Sequence, residues 1–396
     1  MRKELENKFH NTIFFLVSPI LTLPMTLYGI FKKSQFSLFL FALTIGFLSY
    51  LYIPYISNDK ASHYFKFIEL SNMSWNQIAI YLTDKPDFLF SIYLALMAKI
   101  GFSFQISAAL ISVMSVSIIF FIFDKLTRKQ NKFYFLSFVL VLLSISLLAL
   151  FSGIRYYFAC TIVFLAFYYL FFEGKKTKGL GLLLLAAFTH FSTLLFIPVA
   201  FLAIILKNKP DWAKILFLIS FLFLLIPRSD VLIHISNLGL FDNAIDSKLN
   251  AYLGESDFVT RGMENSTSAV IIYWGSNLWL YISYLYLLIT WKNNSILRTI
   301  LYCMIFFVNI FYQAPTVFQR YSLLIQFFFG LLIIIELIKS DKKRIYYIFL
   351  ALFSIRFIFQ LIIIRDIISA SYFNSDSLLL ITGLFREITD INFLRN

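Results

Sequence analysis

Long uninterrupted apolar runs alternate with short polar connections along most of this chain. The runs fall at roughly 11–31, 35–53, 88–102, 104–123, 133–151, 155–172, 179–206, 212–226, 269–290, 296–314, 321–338 and 345–364. A helix needs about 20 residues to cross the hydrocarbon core of a bilayer, and about 17 to 25 are tolerated. Most runs fit, although 88–102 and 212–226 are short and 179–206 is long. Strands of a membrane barrel would alternate apolar and polar residues with period two. These runs are continuously apolar, so helices are predicted. The expected fold is all-α, a polytopic transmembrane bundle of about 11–12 spans, forming a single integral membrane domain over 1–396 with amphipathic helices in its outer loops.

The connections orient the bundle. Lysine and arginine concentrate in Lys32–Lys33 and in the stretches 124–132, 173–178, 207–214, 291–298 and 339–344. Cytoplasmic loops carry such an excess, so these face inward. The connections 54–87, 151–155, 227–268 and 315–320, and the tail after Arg365, then face outward. The long outer loop 227–268 is relatively acidic, with Asp230, Asp242, Asp246, Glu255, Asp257 and Glu264. Two stretches break the parity of this scheme. Two runs lie between the outer loop 54–87 and the inner loop 124–132, where an odd number of crossings is required. One long run lies between the inner loops 173–178 and 207–214, where an even number is required. A broken or re-entrant segment at each place would resolve both, since irregular backbone at membrane depth is tolerated where it lines a cavity. A broken helix is therefore expected over 179–206, which contains His190 and Pro198.

The loop 54–87 has a pattern of its own. Tyr64, Phe67 and Ile68, then Ile78, Tyr81 and Leu82, recur at helical spacing. Ser74 followed three residues later by Gln77 is a helix-start signature. One or two amphipathic helices lying at the outer membrane interface are predicted.

Composition agrees. Apolar residues make up 60% of the chain and charged residues 14%, with 49 Phe and 23 Tyr; the mean hydropathy is +0.81. The formal charge of +13 would suggest nucleic acid in a soluble protein. Here the cations sit in the inward loops, so anionic lipid headgroups are their expected partners and no nucleic acid is expected. Cys160 and Cys303 lie in apolar runs and read as buried free thiols. The first apolar run contains Pro19 and Pro24 without a convincing cleavage site, so it is expected to be retained.

Against this background a few ionisable residues stand out. Arg155, His190 and Arg356 lie inside strongly apolar runs, and Arg320 opens another. Such residues are costly in lipid and usually face a protein-lined cavity. The predicted topology brings Asp59, Arg155 and Arg320 to the outer face, with His190 deeper and Arg356 in the outer half. The planar guanidinium fork suits phosphate and pyrophosphate, so Arg155, Arg320 and Arg356 are candidates to hold an anionic headgroup. The alternative for each is snorkelling or an arginine satisfied by backbone carbonyls. Asp59 is a candidate general base, although Ser-Asn-Asp is also ordinary turn chemistry. His63, one turn on, and Tyr64 are candidates to assist it. His190 is a candidate base, substrate ligand or proton relay. Asp84, Asp87 and Glu69 carry weaker signals. HExxH, CxxC, Walker and GxGxxG signatures are missing, and no metal or nucleotide cofactor is expected; an acidic cation cluster in 54–87 is the alternative left open.

Four local features, in order, resemble the EpsG family of Wzy-like polysaccharide polymerases. Asp59 is followed a turn later by Tyr64. Lys85-Pro86-Asp87-Phe88 leads into the next helix, as an acidic-Pro-x-aromatic motif does in that family. Ser152-x-Ile154-Arg155 with Ala159 is similar to the family's S-x-I-R-Q-x-x-A, with Tyr156 in place of the usual Gln. His190-Phe191-Ser192 closes an apolar run after a lysine-rich loop, and Arg320 resembles a late arginine opening a C-terminal span. The order and spacing hold over about residues 45–340.

The resemblance implies a GT-C-like membrane glycosyltransferase of the bacterial inner membrane. It would transfer a growing glycan from polyprenyl pyrophosphate to a lipid-linked repeat unit at the outer face. Asp59 or His190 would be the base. Arg155, Arg320 and Arg356 would hold the pyrophosphate, with Tyr64, His63 and Tyr156 contacting substrate. Lipid-linked oligosaccharide, membrane lipids and a chain-length regulator are the expected partners. A flippase or transporter of the same lipid-linked sugars is the main alternative, although no inverted repeat is visible. A membrane O-antigen ligase or O-acyltransferase is the other.

Overall fold

The computed structural model describes residues 2–83, 85, 87–129, 132–225, 258–340, 343–373 and 379–384. The predicted outer loop 227–268 lies largely outside them, as do Asp84 and Pro86. Every regular element among the described residues is helical, and the chain is an all-α membrane protein. It divides into two compact units, Met1–Leu194 with Gln360–Asn396, and Leu195–Phe359.

The first unit begins with α1 (Arg2–Val17), α2 (Leu23–Phe31), α3 (Gln35–Leu51), α4 (Asp59–Asn72), α5 (Trp75–Thr83) and α6 (Phe88–Ile100). It continues with α7 (Phe104–Thr127), α8 (Tyr134–Ser144), α9 (Leu147–Phe151), α10 (Ile154–Phe171) and α11 (Lys176–Thr189). The second unit holds α12 (Phe196–Leu206), α13 (Pro210–Ile219), α14 (Phe258–Asn265), α15 (Thr267–Ile289), α16 (Ile296–Asn309), α17 (Pro315–Ser340) and most of α18 (Lys343–Ile363). Helices α19 (Arg365–Tyr372) and α20 (Leu380–Leu384) return to the first.

Four helices, Phe104–Thr127, Ile154–Phe171, Pro315–Lys339 and Lys343–Ile363, are long and apolar enough to cross a membrane. Apart from the run 269–290, which is realised as the uninterrupted 23-residue α15, the other apolar runs among the described residues are shorter or interrupted helices. The run 11–31 breaks over Ser18–Thr22, at Pro19 and just before Pro24. Proline removes a backbone donor and clashes with the preceding turn, which interrupts a helix whatever its hydropathy. The run 133–151 is split between α8 and α9, where the Ser146 hydroxyl caps the new helix by accepting from the Ala149 amide.

α3 and α7 form the long antiparallel pair of the first unit. Their backbones approach closely because Gly46 has no side chain: a Cβ there would sit 2.2 Å from Val113 and 3.2 Å from the Ala109 carbonyl. The Ser49 and Ser112 hydroxyls bond across the same seam at 2.8 Å, and the Phe41 and Phe120 rings meet edge to face. Small residues and hydroxyls are the usual adhesive between helices in an apolar medium. The C-terminal helices close onto α3: the Tyr372 hydroxyl donates to the Leu48 carbonyl at 2.9 Å, the Ile53 amide to the Ser371 hydroxyl at 2.8 Å, and the Tyr50 hydroxyl to the Leu384 carbonyl at 2.6 Å.

The helices predicted for 54–87 are present as α4 and α5. Ser74 and Gln77 form the capping box: the Ser74 amide donates to the Gln77 side chain at 2.7 Å, and the Gln77 amide to the Ser74 hydroxyl at 3.4 Å. α6 packs with these two helices. Phe67, Leu70, Ile78, Phe90, Leu94 and Ala95 share one apolar cluster, and Lys99 at the end of α6 donates to the Ser71 carbonyl at the end of α4, 2.8 Å away. With 13 residues, α6 is about 20 Å long at 1.5 Å per residue, short of the roughly 30 Å hydrocarbon core. It then reverses at Gly101, whose φ of 90° favours glycine. Between residues 87 and 124 the one helix long and apolar enough to cross a membrane is α7.

The run 179–206 is broken as expected. α11 ends at Thr189, His190 takes an extended conformation (φ −150°, ψ 113°), and a 3₁₀ turn over Phe191–Leu195 precedes α12. At 14 and 11 residues, or about 21 and 17 Å, neither half is long enough to cross alone. Cys160 and Cys303 are buried free thiols.

The second unit is knit by buried polar groups. Asn309 accepts from the Tyr284 hydroxyl at 2.8 Å and donates to Ser220 at 2.9 Å. Arg298 pairs with Glu336 at 2.5 Å and donates to the Thr290 hydroxyl at 2.8 Å, and Tyr286 donates to the same Glu336. Each ionic group here has a partner of opposite charge, which is the arrangement lipid demands.

Candidate functional site

In the first unit four helix ends converge. α10 begins with Gly153 at its N-cap and no side-chain cap bond. Its first turn carries Arg155, at the end of the helix where the macrodipole is positive and a cation is unfavourable. The compensation comes from Asp87, 68 residues earlier: its carboxylate accepts from the Arg155 guanidinium at 2.8 Å. Asp87 stands at the N-cap of α6, where aspartate ordinarily accepts from the helix's own amides. Here it makes no such cap bond and is turned to the arginine. The two side chains are 12% and 23% exposed, so the pair is shielded without being sealed.

α4 adds a neutral histidine and a lysine, and the stretch before α6 a second lysine. The His63 ring lies 4.9 Å from Phe90. Burial, and next the Arg155 charge, hold its imidazole down to about 3, so it is neutral. One turn of helix on, Lys66 is pushed down to about 8 by burial first and then by the Lys85 and Arg155 charges, against the opposing pull of Asp87 and Glu69. The Lys66 and Lys85 ammonium groups both lie over the Tyr81 ring, at 5.4 and 3.8 Å. Three cations thus share one neighbourhood with Asp87.

α11 closes the site from the other side. Phe88, next to Asp87, meets Phe188 at 5.3 Å, and the His190 ring meets Tyr156 edge to face at 5.1 Å. The break at His190 lets its side chain fold back on the following turn. The Ser192 amide donates to His190 Nδ1 at 3.3 Å, and the Ser192 hydroxyl lies 2.7 Å from the same nitrogen. With the Ser192 amide donating to it, Nδ1 is an acceptor, which places the ring N–H at Nε2.

Of the residues singled out in the sequence, Arg155, His63, Tyr156 and His190 are brought together here. Asp59 opens α4 as an exposed first-turn acid, one turn before His63. The turn that leads to it lies against the 151–155 turn, with Tyr52 and Phe151 at 5.6 Å. Tyr64 packs edge to face on Phe104 within the apolar cluster of α4 to α7. Arg320 is half-buried on α17 and Arg356 is buried on α18, in the second unit. The residues that sequence reasoning undervalued are Asp87, Lys66 and Lys85. Asp87 had a signal, the acidic position before the aromatic that opens α6. Lys66 precedes Glu69 by three residues on the same helix, the ordinary spacing of a surface ion pair.

A family model described as the EpsG family matches residues 61–375. The chain belongs to the EpsG family. EpsG proteins are Wzy-like polymerases, and the match runs from within α4, just after Asp59, to just past α19, taking in Asp87, Arg155, His63, Lys66, Lys85, Tyr156 and His190. Membership gives the chain a polysaccharide-polymerase-like function. No curated protein and no solved structure matches it.

Proposed function

We propose that this EpsG protein is a multi-pass enzyme of the bacterial inner membrane that polymerises lipid-linked repeat units at the outer face. The observation that carries the reading is the Arg155–Asp87 pair at the uncapped start of α10, with Lys66 and Lys85 beside it. An uncapped helix N-terminus presents backbone amides to an anion. The guanidinium fork adds paired donors, and the lysines add point charge. That combination suits a pyrophosphate.

In the proposed reaction a hydroxyl at the non-reducing end of one lipid-linked repeat attacks the anomeric carbon of the growing glycan. The new C–O bond forms as the bond to the polyprenyl pyrophosphate oxygen breaks. The hydroxyl proton goes to a carboxylate, and Asp59 is the candidate: it lies on the face of α4 that also carries His63, whose neighbour is Arg155. Charge developing on the departing pyrophosphate is met by Arg155, Lys66 and Lys85, donors already in place before the reaction. His190 presents Nε2–H, so its role is that of hydrogen-bond donor to the phosphate or sugar and not that of base. Arg320 and Arg356 remain candidates for the second lipid-linked substrate. No nucleotide is needed, because pyrophosphate is itself a good leaving group once neutralised.

The test is a chain-length gel of surface polysaccharide from a deletion strain complemented with wild type, Arg155→Ala, Asp59→Ala or His190→Ala. A ladder with wild type and single repeat units with normally expressed variants supports the polymerase and its site. Full-length polymer in the deletion strain overturns the reading and favours a ligase or acyltransferase. Repeat units trapped inside the cell favour a flippase.

A further inference from the structure

The turn between α2 and α3 and the end of α7 meet, although they are 95 residues apart. Lys33 Nζ donates to the Arg128 carbonyl at 3.3 Å, and the Arg128 guanidinium donates to the Lys33 carbonyl at 3.2 Å. The two basic loops that the sequence places on the cytoplasmic side are therefore one structure. Asp124 anchors it, accepting from Arg128 at 3.0 Å, from Gln35 at 3.0 Å and from the Tyr134 hydroxyl at 2.8 Å. Lys33 holds a left-handed backbone, φ 61°, which non-glycine residues seldom adopt. Strain of that kind persists where the surroundings over-determine it, and it clusters at ligand clamps and switch regions.

Beside this junction opens a cavity of about 800 Å³ whose lining includes Lys8, Lys32, Lys33 and Arg128 and no carboxylate. The same lining includes Met25 and Tyr28, which are 37% and 64% exposed, and Leu21 and Phe31 nearby are 67% and 56% exposed. Four cations beside an apolar, exposed helix face have the chemistry a lipid would meet: a phosphate head beside charges, and chains along α2. A free phosphate would use the cations alone and leave the apolar wall without a purpose. Basic pockets between helices on the cytoplasmic side are where anionic headgroups bind.

We infer that the cavity between α2, α3 and the end of α7 is a binding site for an anionic phospholipid, with its phosphate held by Lys8, Lys32, Lys33 and Arg128. It is distinct from the Arg155 cluster, shares no residue with it, and does not depend on the polymerase reading.

The test uses the full-length protein in neutral detergent, titrated by native mass spectrometry with dioleoyl phosphatidylglycerol, dioleoyl phosphatidylcholine or glycerophosphate. Arg128 and Lys33 are part of the turn's own bonding, so the variant is Lys8→Gln with Lys32→Gln, which leaves the Asp124 anchor in place. Each lysine near an anionic headgroup is worth about fivefold in binding. The double variant is therefore expected to bind phosphatidylglycerol about 25-fold more weakly than wild type, with phosphatidylcholine binding unchanged. Equal binding of the two lipids to wild type overturns the proposal. So does unchanged phosphatidylglycerol binding in the double variant. Glycerophosphate binding as tightly as the whole lipid overturns the lipid assignment in favour of a soluble phosphate.

Discussion

Asp87 holds Arg155 at 2.8 Å and in doing so leaves the first turn of α6 without its aspartate cap. A lost N-cap costs about 1 kcal/mol, and a hydrogen bond to a charged group contributes about 1.5–3 kcal/mol, so the exchange is sustainable. It leaves the arginine aimed and partly exposed. Arg155→Lys keeps the charge but loses the fork and is expected to give shortened chains. Arg155→Ala is expected to stop at single repeats. Asp87→Ala is expected to lower stability by about 1.5–3 kcal/mol, because a cation then faces a helix N-terminus unopposed. Thermal unfolding in detergent, beside the chain-length gel, separates the two effects. Unchanged stability in Asp87→Ala would remove its structural role.

Lys66 gives the site a pH limit. Its ammonium is held down to about 8, so it is charged below that pH and neutral above. Binding of a pyrophosphate-linked substrate is expected to weaken as pH rises through about 8 and to persist further in Lys66→Arg, whose guanidinium stays protonated. KM for a lipid-linked repeat, measured from pH 7 to 9 with purified enzyme, reads this out. A wild-type KM that stays flat across that window removes Lys66 from the site.

Lys60 is fully buried, with its ammonium donating to the Ser49 and Tyr52 carbonyls at 2.6 and 3.1 Å. Burial pushes it down to about 7 from an ordinary 10.5. Between those values the unfolded chain binds more protons than the folded one, so stability rises with pH from about 7 toward 10.5. Below about 7 both states are protonated, and the burial cost is felt in full. Lys60→Met is expected to flatten this dependence, by an amount on the order of a few kcal/mol across the window. Unfolding midpoints at pH 7, 8 and 9 for the two proteins provide the comparison.

Ser192 orients His190. Losing one ordinary hydrogen bond costs about 1 kcal/mol, so Ser192→Ala is expected to slow polymerisation about fivefold while leaving stability near wild type. His190→Phe is expected to abolish it. Equal rates in Ser192→Ala and wild type would show that the tautomer is fixed by something else.

Gly179 lets α11 lie on α10. A Cβ there would come within 2.4 Å of Leu170 and 2.9 Å of the Ala166 carbonyl, whereas Gly181 has open space around it. Gly179→Ala is expected to destabilise by about 1–3 kcal/mol. Gly181→Ala is expected to be neutral or stabilising by up to about 1 kcal/mol. Similar melting temperatures for the two variants would contradict the packing.

What the sequence made legible was local. The Ser74–Gln77 helix start, the helices around Tyr64 and Tyr81, and the break at His190 follow from short-range patterns, and all three are in the structure. Arg155 and His190 stood out because ionisable groups in apolar runs are expensive. The Asp87–Arg155 pair was not legible, because nothing in spacing relates residues 68 apart. Lys66 was hidden by its own helix, where Glu69 offers a nearer partner. Hydropathy also overstated the number of continuous spans, since it reports composition and not backbone continuity: Pro19 interrupts one run and Ser144–Ser146 another without lowering their mean.

α6 illustrates what that difference means over evolutionary time. It begins beside Asp87 and ends with Lys99 on Ser71, among the helices of the 54–87 loop. Its apolar residues Leu96 and Ile100, and Phe102 just beyond, are exposed. A helix that crosses lipid must keep enough apolar length to do so. At about 20 Å α6 is below that length, so its length and its outward positions are expected to vary more than those of α7.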